Sequence, residues 1–366
     1  MPDLPEEIAT PLRIAMVAPL YESVPPKLYG GTERVVSYLT EELVRLGMDV
    51  TLFASGDSVT DARLRPGAPR GLRLDAKCHD RLAWHFAMIH DVMESADEFD
   101  LIHFHIDYLH YPVSRAMGLN QVSTAHGRLD TPELIPLYRR FDDMPLVSIS
   151  DAQRKPLPFA NWVATVHHGL PLDLLPFSAS HQGYLAFLGR LSREKRPDRA
   201  IRIARQAGIP LKIAAKVDEN DVDYFESVVE PLLAGDDVEF VGEIGDRDKA
   251  GFLGGAIALL CPIDWPEPFG LVMIEAMACG TPVVAYPCGS VPELIEDGVN
   301  GRIVRTEAEA VTAVQEMERF DRARCRRSFD ERFTANRMAR DYLRVYRQLL
   351  ESGAGSRAAT GVRQSA

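Results

Sequence analysis

The chain has 366 residues, 46% of them hydrophobic and 26% charged, and a net charge of -12. That length predicts about two domains, each large enough for its own core, and the acidic balance argues against a general nucleic-acid binder, which would carry a basic domain or stripe. Five scattered cysteines, Cys78, Cys261, Cys279, Cys288 and Cys325, form no Cys-x-x-Cys, a pattern that fits the reduced thiols of a cytoplasmic protein better than a disulfide scaffold or a zinc site.

The first residues, Met-Pro-Asp-Leu-Pro-Glu-Glu, are acidic and lack the basic and apolar regions of a signal peptide. No apolar run approaches the roughly 18 residues of a membrane span, so any membrane contact is expected to be peripheral. Residues 13–19 read as a buried parallel strand. A loop with Pro25, Pro26 and the pair Gly30-Gly31 leads to an amphipathic helix from Thr32 to Leu46, with Val35, Val36, Leu39, Leu43 and Leu46 on one side. Gly47 closes it and Asp49 to Ala54 is the next strand, which makes a βαβ unit and hence a parallel sheet. The Gly-x-Gly-x-x-Gly dinucleotide fingerprint is absent. Gly30 and Gly31 directly precede the helix instead, where they let backbone approach a ligand and expose N–H donors; a plain flexible loop is the alternative.

Residues 100–107 make another strand, whose period-2 alternation puts His103, His105 and Asp107 on one face. Those three could be metal ligands, although no further cluster at metal spacing is evident. Val122 to Gly127 is a strand running into a Gly turn, so His126 sits at a carboxyl strand end, the edge where open α/β sheets bind ligands. A turn histidine bonded to backbone is the plainer reading. Pro145 to Ser150 is one more strand, and the stretch near 171–182, rich in Pro, Ser and Ala, is expected to link two domains.

The second half opens with a strand, Gly183 to Gly189, and a loop holding Arg190 and Lys195, a cationic pair suited to a diphosphate. Arg193 and Arg196 read as solvated charges. Strands follow at Leu211 to Lys216 and Val238 to Gly242, then a helix through Phe252. Residues 261–289 read as strand, loop, buried helix and strand: Leu271 to Ala278 are helix formers, stopped by Gly280 and Pro282. Glu267 lies in the loop, and Glu275 in a helix otherwise apolar all round, where a buried carboxylate needs a partner. Were the stretch helical throughout, eight residues of rise would put the two acids about 12 Å apart, comparable with the ribose-to-sugar distance of a nucleotide sugar. Phe269, Gly270 and Leu271 open the helix, where free N–H groups suit a diphosphate. Asp330 to Leu350 has Phe333, Met338, Tyr342, Val345, Tyr346 and Leu349 at helical spacing, and the small polar tail 351–366 reads as disordered.

Glu-x7-Glu set in Pro-Glu-Pro-Phe-Gly-Leu-Val-Met-Ile-Glu-Ala-Met-Ala-Cys-Gly-Thr-Pro is similar to the donor-site signature of family 4 retaining glycosyltransferases of GT-B fold. The resemblance runs from residue 13 to about 350 and implies two Rossmann-like domains facing a central cleft. It implies an acceptor domain over 1–172, a donor domain over 183–330, and a helix over 331–350 that returns to the first domain. Glu267 and the adjacent backbone are then expected to hold the donor sugar and Glu275 the ribose; a helix-capping Glu267 and a salt-bridged Glu275 are the alternative. Gly-Arg-Leu-x-x-Glu-Lys resembles the family's phosphate-binding segment, which assigns Arg190 and Lys195 to the diphosphate. Gly-Gly-Thr-Glu-Arg-Val resembles its glycine loop, near the donor phosphates and the acceptor. His126 is implied near the donor sugar's anomeric centre and His105 at the acceptor border. Residues 214–218 and 241–245 are expected to frame the base. His167-His168-Gly169 departs from the family's usual Asn-Gly turn, and Lys216 stands where relatives often carry glycines.

The reading implied is metal-independent, retaining transfer of a hexosyl unit from a UDP-, GDP- or ADP-linked sugar to a saccharide, lipid or small-molecule hydroxyl, with no cofactor. A metal-dependent hydrolase built on His103 and His105, or a non-catalytic nucleotide-sugar binder, stands as the alternative.

Overall fold

A computed structural model describes residues 11–27, 30–73 and 75–353. The readings of the first residues and of the tail beyond 353 lie outside the described residues. The chain forms two compact units. One holds the residues up to Ile149, Arg154–Val166 and the residues from Ala335 on; the other holds Ser150–Gln153 and His167–Thr334. The chain therefore enters the second unit at His167, ahead of the stretch 171–182, and Ser150–Gln153 joins that unit although both its neighbours in sequence belong to the first. The Glu293 carboxylate is one reason: it accepts from the N–H groups of Asp151 and Ala152 at 2.8 Å each.

The first unit is built on seven parallel strands: β1 (Arg13–Val17), β2 (Asp49–Ser55), β3 (Arg63–Ala68), β4 (Leu101–Phe104), β5 (Gln121–Thr124), β6 (Leu146–Ser148) and β7 (Trp162–Thr165). Their order is β3-β2-β1-β4-β5-β6-β7, every pairing parallel. Ile14, Ala15, Met16 and Val17 are wholly buried, as expected of a central strand covered on both faces. The order reverses between β1 and β4, and such a switch point opens a crevice at the carboxyl ends of the two strands. The helix Gly31–Arg45 follows β1, one residue from the expected start and end, with Val35, Val36, Leu39 and Leu43 buried.

β4 ends at Phe104, and Asp107 sits at φ 52°, so the alternation expected over residues 100–107 stops before Asp107. Asp107 therefore leaves the face, while His103 and His105 stay together on it with ring centroids 4.0 Å apart. The helical pattern expected over Asp330–Leu350 is two helices, Arg322–Arg332 and Ala335–Ser352, broken where Phe333 O accepts from the N–H of Leu170 at 2.9 Å.

The second unit repeats the plan with β8 (Tyr184–Arg190), β9 (Leu211–Lys216), β10 (Val238–Gly242), β11 (Ala256–Cys261), β12 (Val283–Ala285) and β13 (Gly301–Ile303). These six strands are parallel in the order β10-β9-β8-β11-β12-β13. Leu185, Phe187, Leu211, Ile213 and Leu260 pack with Ile201 and Ile203 of the helix Pro197–Ala207 in its core. Here the switch point lies between β8 and β11, so the loops that leave these two strands meet.

Candidate functional site

The meeting loops of the second unit carry the residues singled out in the sequence. β8 ends on Arg190, and the loop to the helix Pro197–Ala207 carries Lys195. β11 ends on Cys261, and its loop carries Trp265, Glu267, Phe269 and Gly270 before the helix Leu271–Ala278. Lys195 Nζ donates to Glu267 Oε2, which also accepts from the Trp265 indole N–H at 2.9 Å, and the lysine stands 5.2 Å from the Trp265 ring centroid. Arg190 faces Glu194, Asp218 and Asp221 at 3.7, 3.6 and 3.6 Å. These ion pairs are longer than hydrogen bonds, so a diphosphate can compete for the guanidinium.

Gly270 caps this helix at φ 86°, a left-handed conformation that favours glycine, and a Cβ there would stand 2.5 Å from the terminal Met273 Cε, which would have to shift. Phe269 is buried, its ring centroid 4.8 Å from that of His168. Among the described residues, the N–H groups of Phe269, Gly270, Leu271 and Val272 meet no acceptor. The first turn of a helix thus offers a row of donors backed by the positive end of its dipole.

Glu275, on the buried side of that helix, has the partner its burial demands. Lys249 Nζ, from the helix Asp246–Gly254, donates to Glu275 Oε1 at 2.7 Å and also faces Asp246 at 3.4 Å. Sequence reasoning missed Lys249; the signal available was only that an acid in an apolar helix needs a cation. The second unit carries two Asp-x-Asp triplets, Asp221-Val222-Asp223 and Asp246-Arg247-Asp248. One acid of each is ion-paired, Asp221 with Arg190 and Asp246 with Lys249.

Arg196, read as a solvated charge, is not one. It sits at φ 56° and donates to Asp198 at 3.0 Å and to Asp264 at 2.8 Å. Arg193, Glu194, Arg196, Asp198, Tyr224 and Asp264 line a cavity of about 380 Å³. Burial alone would raise the Asp198 pKa, but hydrogen bonds from Arg196, Tyr224 and Arg202 hold it well below the usual carboxylate range.

In the first unit, Gly30 precedes the helix that begins at Gly31, and a Cβ on Gly30 would stand 2.8 Å from Pro26 Cβ. His105 and His126 follow β4 and β5 at the carboxyl edge. His105 Nδ1 and His126 Nε2 share a hydrogen bond of 2.8 Å, and His105 Nε2 meets Met16 Sδ at 2.9 Å. His103 bonds the Tyr346 hydroxyl through Nδ1 and Thr124 Oγ1 through Nε2, at 2.7 Å each. With both ring nitrogens committed to hydroxyls, His103 has none left for a metal, and it serves as a buried tie instead. Burial pushes its pKa well below the ordinary value and lowers that of His126 to about 3. Among the described residues, no group of three or more metal-ligating side chains occurs and no helix is long and apolar enough to cross a membrane.

Known proteins resemble both units. Residues 29–163 match the family described as Glycosyltransferase Family 4, and residues 177–331 match Glycosyl transferases group 1. A D-inositol 3-phosphate glycosyltransferase of Mycolicibacterium smegmatis is 30% identical over 208 residues, 53% of this chain and 45% of that protein, so the match spans less than half of the relative. A glycogen synthase of Mycobacterium tuberculosis is 25% identical, with 92% of this chain and 95% of that protein covered. Among solved structures, sucrose-phosphate synthase of Thermosynechococcus elongatus aligns with a TM-score of 0.77 at 19% identity, over 93% of this chain and 100% of the other. AviGT4, a glycosyltransferase involved in avilamycin A biosynthesis, gives 0.74 at 23% identity over 93% and 98%. Anabaena HepE in complex with UDP-glucose gives 0.69 at 17% identity over 93% and 100%. At these identities the likeness is one of fold, two Rossmann-like units of GT-B type. The group 1 match contains the donor-loop signature with Glu267 and Glu275, the Family 4 match covers most of the first unit, and the chain belongs to the family 4, group 1 glycosyltransferases.

Proposed function

We propose that the protein transfers a hexosyl unit from a nucleotide-diphosphate sugar to a hydroxyl acceptor, with retention at the anomeric carbon and without a metal. The observation that carries this reading is the gathering at one switch point of Arg190, Lys195, Glu267 and the N–H groups of Phe269 to Val272. Arg190, Lys195 and the helix start at Leu271 neutralise the diphosphate. Glu267 and the N–H groups beside it hold the sugar, and Glu275 accepts from the ribose hydroxyls while Lys249 holds its other oxygen. On the first unit, Gly30 and Gly31 are assigned to the donor phosphates and the acceptor beside them, His105 to the acceptor and His126 to the sugar. HepE was solved with UDP-glucose, which makes a uridine donor the first to try. The relatives named for inositol phosphate and glycogen make polyol and saccharide hydroxyls the first acceptors.

The acceptor oxygen attacks the face of the anomeric carbon that the phosphate leaves. The new C–O bond forms as the bond to phosphate breaks, and the departing phosphate oxygen takes the acceptor's proton. An inverting route needs a general base near neutral pKa, and a histidine whose pKa is lowered to about 3 removes a hydroxyl proton poorly. A double displacement needs a carboxylate against the anomeric carbon, and Glu267 is engaged by Lys195 and Trp265. Titration with UDP, GDP and ADP identifies the base, and NMR of the product's anomeric coupling reads the stereochemistry. Retention and full activity in EDTA are expected. A β-linked product from an α-linked donor, or loss in EDTA restored by Mn²⁺ or Mg²⁺, would overturn the mechanism.

A further inference from the structure

The donor loop is held by two buried serines that sit far from it in sequence. Ser150 Oγ donates to Pro268 O and Ser290 Oγ to Phe269 O, at 2.6 Å each. Ser290 also gives its backbone N–H to Glu267 O at 3.0 Å, so three successive carbonyls of the loop face protein donors. Both serines are wholly buried. The direction of the Ser150 proton is set, because Gln153 N–H donates to the same oxygen at 3.2 Å. Gly289, at φ 58°, lets Ser290 come this close: any side chain at 289 would strike the Glu267 backbone.

A trans peptide points its C=O and the following N–H in opposite directions. Turning Pro268 O toward Ser150 therefore turns the Phe269 N–H away from it, and turning Phe269 O toward Ser290 does the same to the Gly270 N–H. These are two of the N–H groups that meet no acceptor among the described residues. The third carbonyl, that of Glu267, precedes Pro268, which has no N–H to direct. We infer that Ser150 and Ser290 are positioning residues for sugar transfer: they lock two consecutive peptide planes so that the Phe269 and Gly270 N–H groups stay aimed at the donor sugar. Donors fixed in advance lose no reorganisation energy when the sugar binds and distorts. The inference rests on the reading of this loop as the sugar-binding element.

The test compares Ser150→Ala, Ser290→Ala and the double variant with wild type in two assays, affinity for the saturating nucleoside diphosphate and turnover of the matching nucleotide sugar. Removing one neutral hydrogen bond from an orienting pair is expected to lower kcat/KM for the nucleotide sugar by about three- to tenfold, and the double variant more. Affinity for the free diphosphate, which lacks the sugar, should stay within about twofold by the same difference reading. Ser290→Cys, which keeps a weak donor, should fall between wild type and Ser290→Ala, and circular dichroism confirms the fold of each variant. A merely structural role would lower the unfolding temperature and leave both assays of the folded protein unchanged, or weaken both alike; either result overturns the inference. If wild type binds none of UDP, GDP and ADP, the functional reading fails and this one with it. If wild type turns over and the alanine variants match it, only the serine inference falls.

Discussion

At the scale of single residues, the two glutamates of the signature differ in how they are held, and the difference predicts separable effects. Glu275 is bonded through Oε1 to Lys249, and the structure gives Oε2 no partner among the described residues. Glu267 uses Oε2 for both Lys195 and Trp265. A hydrogen bond to a charged group contributes about 1.5 to 3 kcal/mol, or roughly ten- to a hundredfold in affinity. Glu275→Ala should weaken binding of free nucleoside diphosphate by that factor, because it removes the ribose acceptor. Glu267→Ala should leave that affinity near wild type and lower turnover of the intact donor. Calorimetric titration with the diphosphate, beside steady-state rates, separates the two. Equal diphosphate affinity in wild type and Glu275→Ala would remove the ribose assignment.

At the scale of elements, the helix Ala335–Ser352 is fastened to the first unit by hydroxyls as well as by apolar packing. Tyr346 bonds His103, and Tyr342 bonds Thr124 Oγ1 at 2.9 Å. Tyr346→Phe should cost about 1 to 3 kcal/mol in denaturant unfolding, because it leaves a ring nitrogen of a fully buried histidine without its partner. A change below about 0.5 kcal/mol would mean that the bond contributes nothing net. The apolar spacing of this helix was legible in the sequence. Its break at Phe333 was not, since what interrupts it is a backbone bond to Leu170, far away in the chain. The central strands were legible as apolar runs, whereas β3 and β7 were missed for physical reasons. β3 contains Pro66, Gly67, Arg63 and Arg65 and lies at an edge, where sheets tolerate proline and charge. β7 is four half-buried residues at the other edge. The donor loop was legible because its chemistry is local; Lys249, Ser290 and the bond from Ser150 to Pro268 were not, because the partners lie elsewhere in the sequence.

At the scale of the whole molecule, acid should unfold the protein in two windows governed by different groups. In the second unit, Asp198 and Glu293 have depressed pKa values despite burial. Asp198 owes this to Arg196, Tyr224 and Arg202, and Glu293 to His167 and the N–H groups of Asp151 and Ala152. Their stabilisation is fully present above the ordinary carboxylate value and disappears only as pH falls below about 4. The first unit differs. Burial lowers His103 well below 6.5, lowers His85, and lowers His110 and His126 to about 3. Each then takes up a proton near pH 6.5 in the unfolded chain but not in the folded one. The unfolded state binds more protons, so stability rises with pH across this range and is lost as pH drops below about 6.5. Glu33 and Asp107, both raised by burial, work the opposite way, and each offsets one such group near its own titration. The slope is at most about 1.4 kcal/mol per pH unit for each histidine that protonates only on unfolding. Unfolding free energies measured from pH 7.5 to 4.5 should therefore fall before any depressed carboxylate titrates. His110→Gln should reduce that slope by about one proton's share, since His110 is wholly buried and remains neutral when folded. A flat profile between pH 7 and 5, or a slope unchanged in His110→Gln, would show that these histidines take up protons in the folded state.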